Sequence, residues 1–134
     1  NNILDGQAGA DNLKGLGGSD TFLFSTKPTF GLSTADHIVD FLGSQDQVTL
    51  RDKIQINKVA FGIDPKASVS LQTITKPTEL TAALASANLF VYDQSQGNLY
   101  WNQDGKATSG FGSGGIFAVL DNKAALSTDN ISLG

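Results

Sequence analysis

The sequence predicts an all-β domain: a short parallel β-roll of about one to two coils, continued by an antiparallel β-sandwich or β-sheet with one short helix. Three observations carry that expectation. The stretch "GQAGADNLKGLGGSDTFL" holds two nonapeptides in register, giving Gly6, Gly9, Asp11 and Leu13, then Gly15, Gly18, Asp20 and Phe22. The acids are twelve Asp and one Glu, Glu79, a bias toward turns, because the short Asp side chain competes for backbone hydrogen bonds in non-helical conformations. Beyond residue 36 the chain runs in short apolar, β-rich segments separated by Gly, Pro, Ser and Asp, the pattern of strands joined by turns.

Each repeat position has a physical task. Glycine permits the positive dihedrals of a tight turn and lets carbonyl oxygens approach one another. The aspartate supplies charge, and the residues after it form a very short strand whose apolar side chain points inward. Run backwards, the frame puts Asn2 at the aspartate position and Leu4 at the apolar one. Two turns and two strands bring the chain back to the same side, so Asn2 and Asp20 are expected on one edge and Asp11 on the other.

The later elements follow in order. "STKPTFGLSTA" reads as a loop. "DHIVDF" and "QVTL" read as strands around the turn "LGSQD", and "IQINKVAF" and "SVSLQTI" as β-like runs around "GIDPKA". "KPTELTAALASA" is the one helix, with Pro77 near its start, Thr78 or Thr81 as cap, and Leu80 and Leu84 on one face. "NLFVYDQSQGNLYWNQDG" is a hairpin in which Gly97 can take the left-handed position. "GIFAVL" and "NISL" supply the last strands. By these elements residues 1–50 form the roll remnant with its capping strands and residues 51–134 a C-terminal antiparallel region, packed as one unit.

Charge is unevenly placed. Residues 1–46 hold six acids (Asp5, Asp11, Asp20, Asp36, Asp40, Asp46) against Lys14 and Lys27, while the acids and bases after them cancel, so the net charge of -4 sits in the glycine-rich third. Carboxylates crowded in one segment repel unless a cation joins them, which points to a metal. Such a surface does not suit nucleic acid, which wants a basic patch. No cysteine is present, which excludes disulfides and thiolate metal sites. No apolar run approaches the roughly 20 residues that span a bilayer. The chain opens at Asn1 without methionine and is read as part of a longer polypeptide lying N-terminal to residue 1.

The two nonapeptides resemble the RTX proteins, the hemolysin-type calcium-binding repeat family. "DTFLFSTKPTFGLSTADHIVDFLGSQDQVTL" is similar to the segment after the β-roll in serralysin-type proteases, and "LFVYDQSQGNLYWNQDG" with "FAVLDNKAALSTDNISL" to C-terminal segments of other RTX proteins. The resemblance implies Ca2+ between turns of neighbouring coils, held by position-six carboxylates and glycine-turn carbonyls. One implied site uses Asn2 with Gly15, Gly17, Gly18 and Asp20. A second uses Gly6, Ala8, Gly9 and Asp11, closed from the 25–36 loop by Asp36. The resemblance also implies a secreted, extracellular bacterial protein whose C-terminal region is read by a type I secretion apparatus and whose calcium binding is coupled to folding outside the cell.

Other readings are weaker on physical grounds. "NQDG" at 102–105 has the look of half an EF-hand loop, but Tyr100 and Phe111 stand where acids are needed. "GFGSGG" at 110–115 matches a dinucleotide fingerprint in letters, yet it precedes a strand and opens no helix. His37 suits a local hydrogen bond, and neither a GxSxG elbow nor an HExxH motif is present, so no enzyme activity is expected. The alternative function is a carbohydrate- or surface-binding module with purely structural calcium, its face being the hairpin rings Phe90, Tyr92, Tyr100 and Trp101; core packing is the competing role for these rings.

Overall fold

A computed structural model describes residues 1–103 and 114–134. Among the described residues ten strands lie in two sheets, so the fold is mostly β with a little helix. The four-stranded sheet contains β1 (Ile3–Asp5), β3 (Thr21–Phe24), β5 (Lys53–Ile56) and β10 (Ile131–Leu133), in that order. The six-stranded sheet runs β2 (Asn12–Leu13), β4 (Asp36–Ile38), β9 (Gly115–Leu120), β8 (Asn98–Trp101), β7 (Phe90–Asp93), β6 (Leu71–Ile74). From β1 to β5 the chain changes sheet at every strand, so successive strands of one sheet are parallel.

The repeat spacing sets the register. Leu4 faces Phe22, and Phe22 faces Ile54, which also pairs with Ile131. On the other sheet Leu13 faces Ile38, which faces Leu120. The apolar eighth position of each nonapeptide thus begins a column of inward side chains, and the two columns meet in one core. Phe22, Ile38, Ile54 and Leu120 are fully buried there with Phe41, Phe61, Phe90 and Phe117. Rings pack edge-on, Phe24 on Phe117 and Phe61 on Trp101, with centroids 5.1 and 5.3 Å apart, the arrangement that the ring quadrupole favours.

The hairpin forms as expected, with Phe90 opposite Trp101 and Gly97 at φ 77° in its turn. Its rings are core. Phe90 and Tyr92 are 0% exposed, Tyr100 7% and Trp101 2%. Burial raises the Tyr92 phenol above its ordinary range, and its hydroxyl donates to the Ala124 carbonyl at 2.6 Å. The opposite face of this sheet is covered too, since Val91, Tyr100 and Ile74 pack with Ala83 and Leu80 of α2 (Leu80–Leu84). These four rings therefore present no exposed stacking face among the described residues.

Several elements depart from expectation. The antiparallel continuation is realised only in β7, β8 and β9, whereas β4 with β9, β6 with β7, and β5 with β10 are parallel. The connection from β6 to β7 carries α2, and a helical crossover delivers a parallel partner. "QVTL" forms a 3-10 turn at Val48–Leu50 instead of a strand. "IQINKVAF" splits at Asn57, whose Oδ1 accepts from the Ala60 amide and caps α1 (Lys58–Phe61), ended by left-handed Gly62. Neither Thr78 nor Thr81 caps the predicted helix; Pro77–Glu79 is 3-10 and Glu79 occupies the α2 N-cap without a side-chain bond. The fingerprint-like 110–115 and the EF-hand-like 102–105 fall largely outside the described residues.

The two repeats adopt the same backbone. Position two is left-handed in both, at φ 61° for Gln7 and 67° for Leu16, and position four is positive at Gly9 (116°) and Gly18 (101°). A side chain in the left-handed region costs roughly 1–2 kcal/mol, while glycine loses about 0.5–1 kcal/mol more backbone entropy on folding. Leu16 is 65% exposed, so little packing is lost with it. Leu16→Gly is expected to stabilise the fold by about 0.5–1 kcal/mol, measured by urea unfolding.

Candidate metal centre

At three strand starts an aspartate accepts a backbone amide from the neighbouring strand of the same sheet. Asp20 Oδ1 accepts from the Asn2 amide at 2.6 Å, and Asp52 Oδ1 from the Asp20 amide at 2.8 Å. On the other sheet Asp36 Oδ1 accepts from the Asp11 amide at 2.9 Å. These bonds form two ladders, Asn2–Asp20–Asp52 on one edge and Asp11–Asp36 on the other. Asn2 and Asp20 share an edge opposite Asp11, as the repeat spacing requires.

The second oxygens distinguish the ladder members. Asp52 Oδ2 accepts from the Leu42 amide at 2.8 Å, so this carboxylate is satisfied. Asp20 is 0% exposed, yet its Oδ2 has no hydrogen-bond partner, and the buried Oδ2 of Asp11 has none either. An ionised oxygen left so in an apolar interior costs several kcal/mol unless a proton or cation reaches it.

Both orphan oxygens face the glycine at position one of their own repeat. A Cβ on Gly6 would lie 2.8 Å from Asp11 Oδ2 and 3.1 Å from Asp36 Oδ2. A Cβ on Gly15 would collide with Asp20 Oδ2. Glycine therefore clears the space that each carboxylate fills. Ala8 and Gly9 line a cavity of about 280 Å³ between this turn and the 26–34 loop, with Asp36 at its edge. Of the expected ligands, Gly6, Asp11 and Asp36 come together with Ala8 and Gly9 beside them, and Asn2, Gly15 and Asp20 form a second group. Gly17 has open space around it, and Gly18 approaches Asn1 Oδ1 instead of a carboxylate.

Among the described residues no three His, Cys, Asp or Glu side chains converge, so a cation here would draw the rest of its shell from carbonyls and water. Calcium accepts such a shell of six to eight hard oxygens. The residues fit that ion: two carboxylates at one edge, one deeply buried at the other, and turns in which Gly9 and Gly18 hold positive φ.

Asp52 and Asp5 lie outside the ligand set read from the sequence, and Asp40, for which ligand and turn acid are equal readings, accepts turn amides. Asp52 is the upper rung of the first ladder. Asp40 accepts from the Gly15 and Leu16 amides at 2.9 and 2.7 Å, filling the concave nest of N–H groups that such turns present. Asp5 Oδ1 accepts from the Gln7 amide and its Oδ2 from the Ser25 hydroxyl, tying the first turn to the end of β3. A signal for Asp52 was present, since "RDKIQI" sets an acid before an alternating strand just as "SDTFLF" does. The His37 bond is long-range instead of local: Nδ1 lies 2.6 Å from Oδ1 of Asp121, 84 residues away. Among the described residues no helix is long and apolar enough to cross a membrane.

Burial raises the carboxyl pKa of Asp36, against the Asp11 amide bond that lowers it and with the charges of Asp11 and Asp5 raising it further. Burial likewise raises Asp52, opposed by the amides of Leu42 and Asp20 and reinforced by the charges of Asp20 and Asp40. A carboxyl raised in the folded state binds more protons folded than unfolded, so its contribution to stability is full below the unfolded value of about 3.9 and is lost as pH rises through the folded value. In chelator, stability measured by urea unfolding is expected to fall as pH rises from about 4 through this window, and the double variant Asp36→Asn, Asp52→Asn to flatten the dependence. Asp52→Ala, which strands two amides, is expected to cost about 2–4 kcal/mol in the same assay.

No family model matches this chain and no curated protein is significantly similar to it, so its function is argued from these residues.

Proposed function

We propose that this chain is the calcium-binding C-terminal part of a secreted RTX-type protein, in which residues 1–24 are the end of a parallel β-roll and the rest caps it. The observation that carries the reading is the pair of buried carboxylate oxygens, Asp11 Oδ2 and Asp20 Oδ2, without a donor beside the position-one glycines. Asp11, Asp36 and carbonyls of the Gly6–Gly9 turn would hold one ion. Asp20 with carbonyls of Asn2, Gly15 and Gly17 would hold another. When bound, calcium neutralises carboxylates that otherwise repel and joins the turns of successive coils. The chain's own part is to hold those oxygens in place through the amides of Asn2 and Asp11.

An extended chain offers no such cage, so the energy of binding is energy of folding. At a hundredfold excess over the dissociation constant one site adds about 2.7 kcal/mol. The domain would then be loose where calcium is scarce and fold where it is plentiful, which suits a protein exported unfolded through a type I apparatus to the cell exterior. No catalytic step is assigned to it. Calcium is expected to raise the melting temperature of the native protein and magnesium to raise it far less, with Asp11→Asn and Asp36→Asn each removing much of the calcium shift. A melting temperature indifferent to calcium and chelator would contradict the reading. Export is tested separately, by fusing residues 88–134 to a passenger in a strain carrying the apparatus; secretion that requires these residues is the expected result.

A further inference from the structure

The cavity beside Asp36 is larger than a cation needs. Its volume of about 280 Å³ would hold roughly nine waters at about 30 Å³ each, and it lies just below the range of roughly 300–1,000 Å³ typical of small-molecule sites. One small ring fills such a space.

The wall carries both donors and acceptors. Phe24 and Pro28 give it an apolar side, and Lys27, Ser33, Thr34 and Asp36 line it as well. Thr34 spends its hydroxyl proton on the carbonyls of Thr29 and Gly31, which leaves its oxygen as an acceptor. Ser33 and Lys27 have no hydrogen-bond partner among the described residues, and Asp36 uses only Oδ1, for the Asp11 amide. The Lys27 ammonium lies 5.7 Å from the centroid of the Trp101 ring, a cation–π distance.

Charge and hydrogen-bonding capacity select the ligand class. Asp5, Asp11 and Asp36 against Lys27 leave the neighbourhood negative without a divalent ion and neutral with one, so neither state favours an anion. A hydroxyl gives and takes a hydrogen bond at once, matching a wall with a free ammonium, a free serine hydroxyl, a threonine oxygen and a carboxylate oxygen. An aliphatic ring face suits Phe24 and Pro28. We infer that this cavity is a binding site for a single neutral sugar ring, a function beyond calcium binding that shares Asp36 with the proposed ion.

The test is titration of the native protein with methyl α-D-mannopyranoside, read by amide chemical shifts, in calcium and in chelator, with D-galacturonate as the anionic control. Saturable shifts at the Ser33 and Thr34 amides in the millimolar range, weakened at least about tenfold by the cavity-filling variant Ser33→Leu, support the inference. Linear or absent shifts, an unaffected Ser33→Leu, or tighter binding of D-galacturonate overturn it. Calcium titrated alone, read at the Gly6 and Asp11 amides, reports on the metal reading whichever way the sugar titration falls.

Discussion

The structure depends on one interaction repeated along two edges: a carboxylate at the start of a strand accepting the amide of the residue beside it in the neighbouring strand. Asp20 on Asn2, Asp52 on Asp20 and Asp36 on Asp11 are its three instances. Parallel strands of two to four residues have few ladder hydrogen bonds of their own, and a charge-assisted bond at each strand start adds about 1.5–3 kcal/mol where the sheet is weakest. The same bond fixes the carboxylate's direction. Where Oδ1 is committed to an amide, as at Asp20 and Asp52, whether a further donor waits for Oδ2 decides the role of that residue. At Asp52 the Leu42 amide is waiting. At Asp20 and Asp11 nothing is.

That difference divides the molecule. Toward β5 and β10 the aspartates are closed by protein: Asp52 by two amides, Asp40 by the Gly15 and Leu16 amides, and the Asp52 carbonyl by the Asn130 side chain. Asp11 and Asp20, beside the position-one glycines, each keep one oxygen open, while Asp5 at the end of β1 is closed by the Gln7 amide and the Ser25 hydroxyl. Hydrogen bonds within the chain thus do at one end what an ion would do at the other. The aromatic core, including Phe61, Phe90, Trp101 and Phe117, stabilises the fold by burial between the two sheets.

How much of this was legible follows from the range of each interaction. The strand pairing of residues 3–24 and the edge each aspartate occupies are legible in the spacing, because a turn and a strand of fixed length leave the chain few alternatives. The β7–β8 hairpin was readable for the same reason, its turn glycine and alternating residues being local. Parallel pairing of β4 with β9 and of β5 with β10 was not, since residues 38 and 120, or 56 and 133, meet only through the tertiary core. The 3-10 turn at Val48–Leu50 shows tertiary context overriding β propensity. The acceptor roles of Asp40 and Asp52 toward the repeats are not legible locally, because they are set by amides 24 to 32 residues away.

The central claim concerns the space between the Gly6 bend, Asp11 and Asp36. Anomalous diffraction from crystals grown in calcium addresses it most directly. The account predicts a calcium peak about 2.3–2.6 Å from both Asp11 Oδ2 and Asp36 Oδ2. Ordinary water at that point, with both carboxylates turned to protein donors, would contradict it.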